Sequence, residues 1–492
     1  MPIKSALVAA LLVSSLACAQ QTPPPPVALT IYNQNFAVAR TSVDLDLHPG
    51  INEVTTTRVT SQLEPDSVVL RDPTGEHTVQ VIEQNYDAAV VNQAWMLKKY
   101  EGRTISFQIK PGEVVQGKII RAGDDLQPYG AQQQPLIEVN SQMQFQLPGL
   151  PLFPATTDGL LLKPTLRWQI QSAQAEHYTA ELAYITAGLD WEATYNVIAP
   201  QSSNVPSDEK ADVLGWVTIH NQSGSDFPEA NIKLMAGDVA KIMPQLYLYN
   251  RLEAVGGLAT AGPVEVPKVT QKAFDDFHLY NLNRTVTLRD GETKQVQFLD
   301  APGVTMQRSY SYDGSAQNRQ PFENYSNNII WDEGYGLDSG NTKVRIIEEI
   351  KNSKSNHLGI PLPAGRVRVY RRDSDGQMEF VGESMIEHTP PEETLKVSTG
   401  NAFDVKGARK QTDFHVDQNA HTIDETFEIK LTNQKQQPVK VTVVEHMYRG
   451  NNWEITAKST DYIKRDSHTI EFPVHVAAKG EATLIYSVHY TW

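Results

Sequence analysis

From Val27 onward apolar and polar residues alternate in short runs, as in Ala28-Leu29-Thr30-Ile31-Tyr32 and Thr41-Ser42-Val43-Asp44-Leu45-Asp46-Leu47. Successive side chains of a strand point to opposite faces, so a period of two predicts strands with one face on a core. The same pattern predicts strands over 165–171, 177–185, 214–221, 343–351, 427–433, 439–446 and 483–492. In the last of these Tyr486, Val488, Tyr490 and Trp492 share one face, and Ser487, His489 and Thr491 the other. Asp290-Gly291 and Asp375-Gly376 each separate two such runs, and Asp-Gly is the pair that a two-residue hairpin turn asks for. No amphipathic helical period extends beyond about three turns. Many short strands without helices between them predict an all-β fold: tandem antiparallel β-sandwich domains of immunoglobulin-like kind, a small extra β subdomain and long loops.

The start of the chain reads differently. Lys4, the apolar run Ala6 to Val13 and the small residues ending Ala17-Cys18-Ala19 form a secretory signal peptide over residues 1–19. Cleavage near Ala19 removes the single Cys and predicts a secreted or periplasmic protein held by its core without disulfides. The competing use of this segment is lipidation at Cys18, although Ser15 stands where a bacterial lipobox usually has Leu. Gln20 to Val27, with Pro23-Pro24-Pro25-Pro26, is a stiff spacer. Composition then divides the chain into an N-terminal β domain at 28–97, a small β subdomain at 98–158, and a β-sandwich at 159–340. A final β-sandwich occupies 341–492. The third unit carries a loop-rich tract, Gly256 to Pro267 and again Asp313 to Asn328.

Charge and motifs narrow the chemistry. Lys and Arg number 43 against 58 Asp and Glu, a net charge of −15, which argues against nucleic acid or an anionic lipid surface as partner. No later apolar run reaches the ~18–20 residues that span a bilayer. A Cys-free mature chain has no thiol nucleophile or thiolate zinc site. G-x-S-x-G, H-E-x-x-H and the P-loop pattern are absent too, so no cofactor and no metal site is predicted. Asp373-Ser374-Asp375-Gly376 offers oxygens to a hard cation but reads as a hairpin turn. Glu445-His446 with Trp453 is the cluster with most chemical potential, joining an acid, an imidazole and an aromatic. Adjacent strand residues face opposite ways, however, so Glu445 and His446 cannot address one site without a bulge, and packing is the favoured role. Glu348-Glu349 meets the same objection. Arg366 and Arg368, with Arg371 and Arg372, form the densest basic group, and their placement spreads it over two faces of an exposed hairpin.

Several stretches resemble a known family. Glu349-Ile350-Lys351-Asn352 followed by Leu358 to Tyr370 resembles the signature of the DUF4139 family, a domain of unknown function. So do Asn433-Gln434-Lys435, Val443-Val444-Glu445-His446, Asn452-Trp453-Glu454-Ile455 and Phe472-Pro473-Val474 through Thr483. Gly188-Leu189-Asp190-Trp191-Glu192-Ala193-Thr194-Tyr195 and Asn221-Gln222-Ser223-Gly224 extend the resemblance from about residue 176 to the end. Mucoidy inhibitor A-like relatives carry a coiled-coil insertion, for which this sequence has no heptads. The resemblance implies a fold and a compartment and supplies no reaction. The expected function is therefore that of an exported, non-catalytic envelope protein. It would bind a protein or a cell-surface polysaccharide through sandwich edges or loops. The alternative is a carboxylate-based hydrolase of envelope glycans or peptides, which needs no sequence motif.

Overall fold

The computed structural model describes residues 26–88, 91–123, 134–154, 162–201, 208–237, 239–241, 270–274, 277–315, 331–335, 340–450 and 452–492. The expected signal segment with Cys18 and the Gly256 to Pro267 tract lie outside the described residues. Strands dominate, and Gln93–Lys99 is the one α-helix among the described residues. The alternating runs become strands over Thr165–Ser172, Glu176–Ala187, Glu209–Asn221, Lys343–Lys351, Thr422–Asn433, Val439–His446 and Gly480–Thr491. The fold is all-β, built mainly from antiparallel sheets.

A seven-stranded sheet has the order Thr270–Phe274, Phe277–Leu288, Phe227–Ala236, Ala28–Tyr32, Phe36–Leu47, Glu176–Ala187, Val69–Arg71. Ala28–Tyr32 lies parallel to Phe227–Ala236 and antiparallel to Phe36–Leu47, so the N-terminal strands are inserted between strands that follow them by well over a hundred residues. A three-stranded sheet places Thr165–Ser172 between Gly50–Thr56 and Gln80–Asp87. The segment between Gln80–Asp87 and Thr165–Ser172 folds separately. Its five-stranded sheet closes a small core of Phe107, Ile119 and Ile137 against Leu97 of the helix.

The largest sheet has thirteen strands. Its path runs Met378–Ile386, Gly365–Arg372, Leu189–Ala199, Glu209–Asn221, Thr293–Tyr312, Lys343–Lys351, Thr394–Asp417, Thr422–Asn433, Gly480–Thr491, Asn452–Lys458. Val439–His446, Ile463–Lys464 and Thr469–Val476 pair off this path and form the facing layer of the C-terminal sandwich. Two cores share the long strands. Val296 and Met306 lie in the first core and Tyr310 and Tyr312 in the second. Likewise Ile350 divides from Val344, and Leu395 and Val397 from Val405. Residues 343–397 thus serve both cores.

Two sequence expectations need correction. Asp290-Gly291 closes no hairpin, because Phe277–Leu288 belongs to the seven-stranded sheet and Thr293–Tyr312 to the thirteen-stranded one. Gly291 does adopt positive φ, at 71°, but Asp290 ties the turn to another loop: its carboxylate accepts the Gly224 N–H at 2.9 Å and its own N–H donates to Asp226 at 2.8 Å. The result is a corner between sheets. Asp375-Gly376 does close a hairpin, with Gly376 at φ 84° and Asp373 N–H donating to Gln377 O at 2.8 Å. Trp492 also departs from its expected face. Tyr486, Val488 and Tyr490 are buried, whereas Trp492 follows the strand's end, is 39% exposed, and has its ring 5.6 Å from that of Trp331.

Candidate functional site: buried ion pairs and an open sheet face

Strand Val439–His446 turns its odd-numbered residues inward, which places Glu445 in the C-terminal core behind Val439, Val441 and Val443. A buried carboxylate is costly unless paired. Glu445 accepts from Arg409 Nε at 2.9 and 3.2 Å and from the Tyr486 hydroxyl at 2.6 Å. The Arg409 guanidinium lies 3.8 Å from the Phe427 ring centroid. Burial works against its charge, but Glu445 together with Tyr486 and Tyr448 outweighs burial and holds Arg409 well above its ordinary value. Burial, and then the Glu445 charge, push the Tyr486 hydroxyl well up.

A second pair lies in the same core. Glu425 is 2.8 Å from Arg449 Nε, and accepts from Gln411 Nε2 at 2.8 Å and from Tyr448 Oη at 3.0 Å. Burial raises the Glu425 carboxyl, and Arg449 opposes that shift. Arg449 also donates to the carbonyls of Asp332, Glu333 and Tyr335 at 2.9, 3.3 and 3.3 Å, and so anchors that segment on the sandwich. A third group joins Glu348 to Arg308 at 2.7 Å and to Arg371 at 3.5 Å, with Arg371 2.8 Å from Glu209. Each buried glutamate is thus matched by arginine, an arrangement suited to neutralising charge rather than to moving protons.

His446 points the other way. Its Nε2 is 2.9 Å from Asp313 Oδ2, while Asp313 Oδ1 accepts the Ser315 N–H and hydroxyl, each at 3.1 Å. Burial raises Asp313, but the His446 hydrogen bond and charge and the Ser315 contacts overcome it, leaving the carboxyl below its usual value. Trp453 donates Nε1–H to Ser467 O at 2.8 Å, and Lys464 Nζ stands 4.3 Å from its ring centroid. Glu445, His446 and Trp453 therefore do not converge on one site. Glu349 is likewise occupied, accepting the Ser309 hydroxyl at 2.7 Å.

Arg366 and Arg368 fare differently. Along Gly365–Arg372, Val367, Val369 and Arg371 face inward, and Arg366, Arg368, Tyr370 and Arg372 face outward. The registers extend this outer face into rows across neighbouring strands. One row reads Met385, Arg366, Thr194, Trp216, Gln297; the next Glu383, Arg368, Asn196, Leu214, Asp300. In a third, Phe380, Tyr370 and Ile198 align, with the Phe380 and Tyr370 rings edge to face at 5.8 Å. Met378, Phe380 and Met385 are 53, 55 and 65% exposed, and Trp216 and Tyr370 are half-buried. Arg368 is held by Glu383 at 3.2 Å, while Arg366 and Arg372 have no ion pair among the described residues. Alternation in Arg366-Val367-Arg368-Val369-Tyr370 is the signal that points to this face. Trp216 carries no such signal, because its place beside Arg366 is set by strand order.

The family described as "Domain of unknown function (DUF4139)" matches residues 180–492. The chain belongs to that family. All three buried ion-pair groups and the open sheet face fall within the DUF4139 region. That region starts inside strand Glu176–Ala187, and in the seven-stranded sheet its strands are separated by Ala28–Tyr32 and Phe36–Leu47 from upstream. No curated protein matches the chain. Among the described residues no helix is long and apolar enough to cross a membrane, and no group of three or more His, Cys, Asp or Glu is arranged to hold a metal ion.

Proposed function

We propose that this DUF4139 protein is an exported, non-catalytic binding protein of the cell envelope, with a protein or surface polysaccharide as its partner. The contact surface in this reading is the outer face of the thirteen-stranded sheet around Arg366, Arg368, Tyr370 and Trp216. The observation that carries it is the exposure of aromatic, methionine and arginine side chains in register on one open sheet face. Export is supported by the signal-like residues 1–19 and the thiol-free remainder. The hydrolase alternative calls for two carboxyls about 5–9 Å apart, both open to substrate. Glu348, Glu425 and Glu445 are instead committed to arginines in the interior. A photocrosslinker at Thr194, introduced into the producing cell, tests the reading. An adduct from Thr194 that Trp216→Ala abolishes supports it, whereas steady turnover of an envelope glycan or peptide by the purified chain would sink it.

A further inference from the structure

Resting on that reading, we infer that the occupant of the open face is an uncharged polysaccharide chain lying across the rows that contain Trp216, Arg366, Arg368 and Tyr370. Size is the first argument. Five strands at ~4.8 Å spacing span ~19 Å, and the run from Arg366 to Arg372 at ~3.4 Å per residue spans ~20 Å, giving a footprint of ~400 Å². A stable protein interface covers ~800 Å² on each partner, about twice that area. A narrow polymer fills those rows by itself, whereas a globular partner would have to reach beyond them.

The edge of the sheet argues against an added peptide strand. Val381 is an extra residue between the pairs Tyr370–Phe380 and Val369–Gly382, so the edge strand bulges. At that bulge Gly382 lies so close to Thr399 that a Cβ on it would be 2.4 Å from the Thr399 carbonyl oxygen. A bulged and partly covered edge offers a poor ladder for strand addition.

Charge and chemistry argue for an uncharged ligand. Arg366, Arg368 and Arg372 are balanced on the face by Glu192, Glu383 and Asp300, while Asp212 accepts the Gly303 N–H at 3.1 Å. A polyanion gains little from a balanced face on a chain of net charge −15. The polar groups on the face are hydroxyl, amide, guanidinium and carboxylate: Thr194, Asn196, Gln297, Arg366 and Glu383. Together they supply both donors and acceptors for sugar hydroxyls. The half-buried rings of Trp216 and Tyr370 supply aromatic surface for the C–H side of a pyranose ring. Trp216 sits two strands from Arg366, ~10 Å away, so stacking and hydrogen bonding engage different sugar units of one chain.

The test uses the full exported chain in affinity electrophoresis through gels containing dextran, a β-1,3-glucan, a mannan or, as the anionic probe, alginate. Binding is then quantified by calorimetry. The expected result is retardation by at least one neutral glycan, weakened ~10-fold or more by Trp216→Ala and by Tyr370→Ala. Asn196→Ala, a milder change, should weaken binding without altering circular dichroism. Trp95→Ala removes an exposed aromatic from the separate helix and should leave binding unchanged. Retardation by alginate alone, by no glycan, or by a neutral glycan with no effect of the face variants overturns the inference. A protein adduct from the Thr194 photocrosslinker in the absence of glycan binding would remove the glycan and leave the binding reading standing; neither signal would remove both.

Discussion

Replacing Glu445 by Gln keeps the side chain's shape and removes its charge, leaving Arg409 as an uncompensated cation in the C-terminal core. Both side chains are essentially inaccessible, at 2% and 0% exposure, so solvent screening offers no relief. Breaking a buried pair from one side costs ~3–5 kcal/mol, whereas replacing both partners by apolar residues of similar volume is near neutral. The Tyr486 hydroxyl complicates the double replacement, because it donates to Glu445 at 2.6 Å and would be orphaned at a cost of ~1–3 kcal/mol. Three variants separate these costs: Glu445→Gln, Arg409→Met with Glu445→Leu, and that pair with Tyr486→Phe. Unfolding in urea, followed by hydrogen exchange over residues 422–491, should give a loss of ~3–5 kcal/mol for the first and ~1–3 for the second. The triple variant should return close to the parent, since Glu425 and Arg449 still cancel each other. A loss below ~1 kcal/mol for Glu445→Gln, or a triple variant as unstable as the single, would refute the claim that this pair exists to neutralise itself.

Three other outcomes follow from the same geometry. Asp313→Asn should cost ~1.5–3 kcal/mol, the worth of hydrogen bonds to a charged group. Because the folded Asp313 carboxyl lies below its ordinary 3.8, that advantage is present above pH 3.8 and is lost as pH falls through the folded value. Urea midpoints of parent and variant should therefore converge only in strong acid, and convergence between pH 5 and 7 would contradict the assignment. Excising residues 91–162 and joining the flanks by a short turn should leave the rest folded, because Asp87 pairs directly with Thr165 and the five-stranded unit has its own core. The Tm should change by less than ~4 °C, the equivalent of ~1 kcal/mol. The DUF4139 region alone, residues 180–492, should fail differently. Without Ala28–Tyr32 and Phe36–Leu47, strands Phe227–Ala236 and Glu176–Ala187 lose partners, so exchange protection should vanish over 180–187 and 227–236 and persist over 422–491.

What the sequence discloses is local. Strand identity is legible because alternation is local: Lys343–Lys351 and Val439–His446 have the expected bounds, and Asp375-Gly376 turns as its chemistry requires. The opposed directions of Glu445 and His446 are legible for the same reason. Partner choice is not local. Asp290-Gly291 has the same turn chemistry as Asp375-Gly376, yet its flanking strands enter different sheets once Asp226 and Gly224 claim Asp290. Arg409 and Arg449, which decide what Glu445 and Glu425 can do, lie 36 and 24 positions from them in the chain and give no spacing signal.

The third ion-pair group shows what such pairing does for the whole architecture. Arg308 and Glu348 lie opposite each other in the ladder between Thr293–Tyr312 and Lys343–Lys351. Along the first strand Arg308 falls between Met306 of one core and Tyr310 of the other; along the second, Glu348 falls between Ile350 and Val344. The pair thus marks the place where both strands pass from core to core. Apolar residues alone would define that crossing poorly, since either core accepts aliphatic side chains. A one-residue slip would set Arg308 opposite Ile347 or Glu349, remove the inward carboxylate from its guanidinium, and turn every neighbouring side chain to the wrong face. Glu348-Glu349, which in sequence resembles paired acids for catalysis, acts in the fold as a register mark. Glu348 fixes the crossing from inside through Arg308 and Arg371, and Glu349 binds the Ser309 hydroxyl from the opposite face.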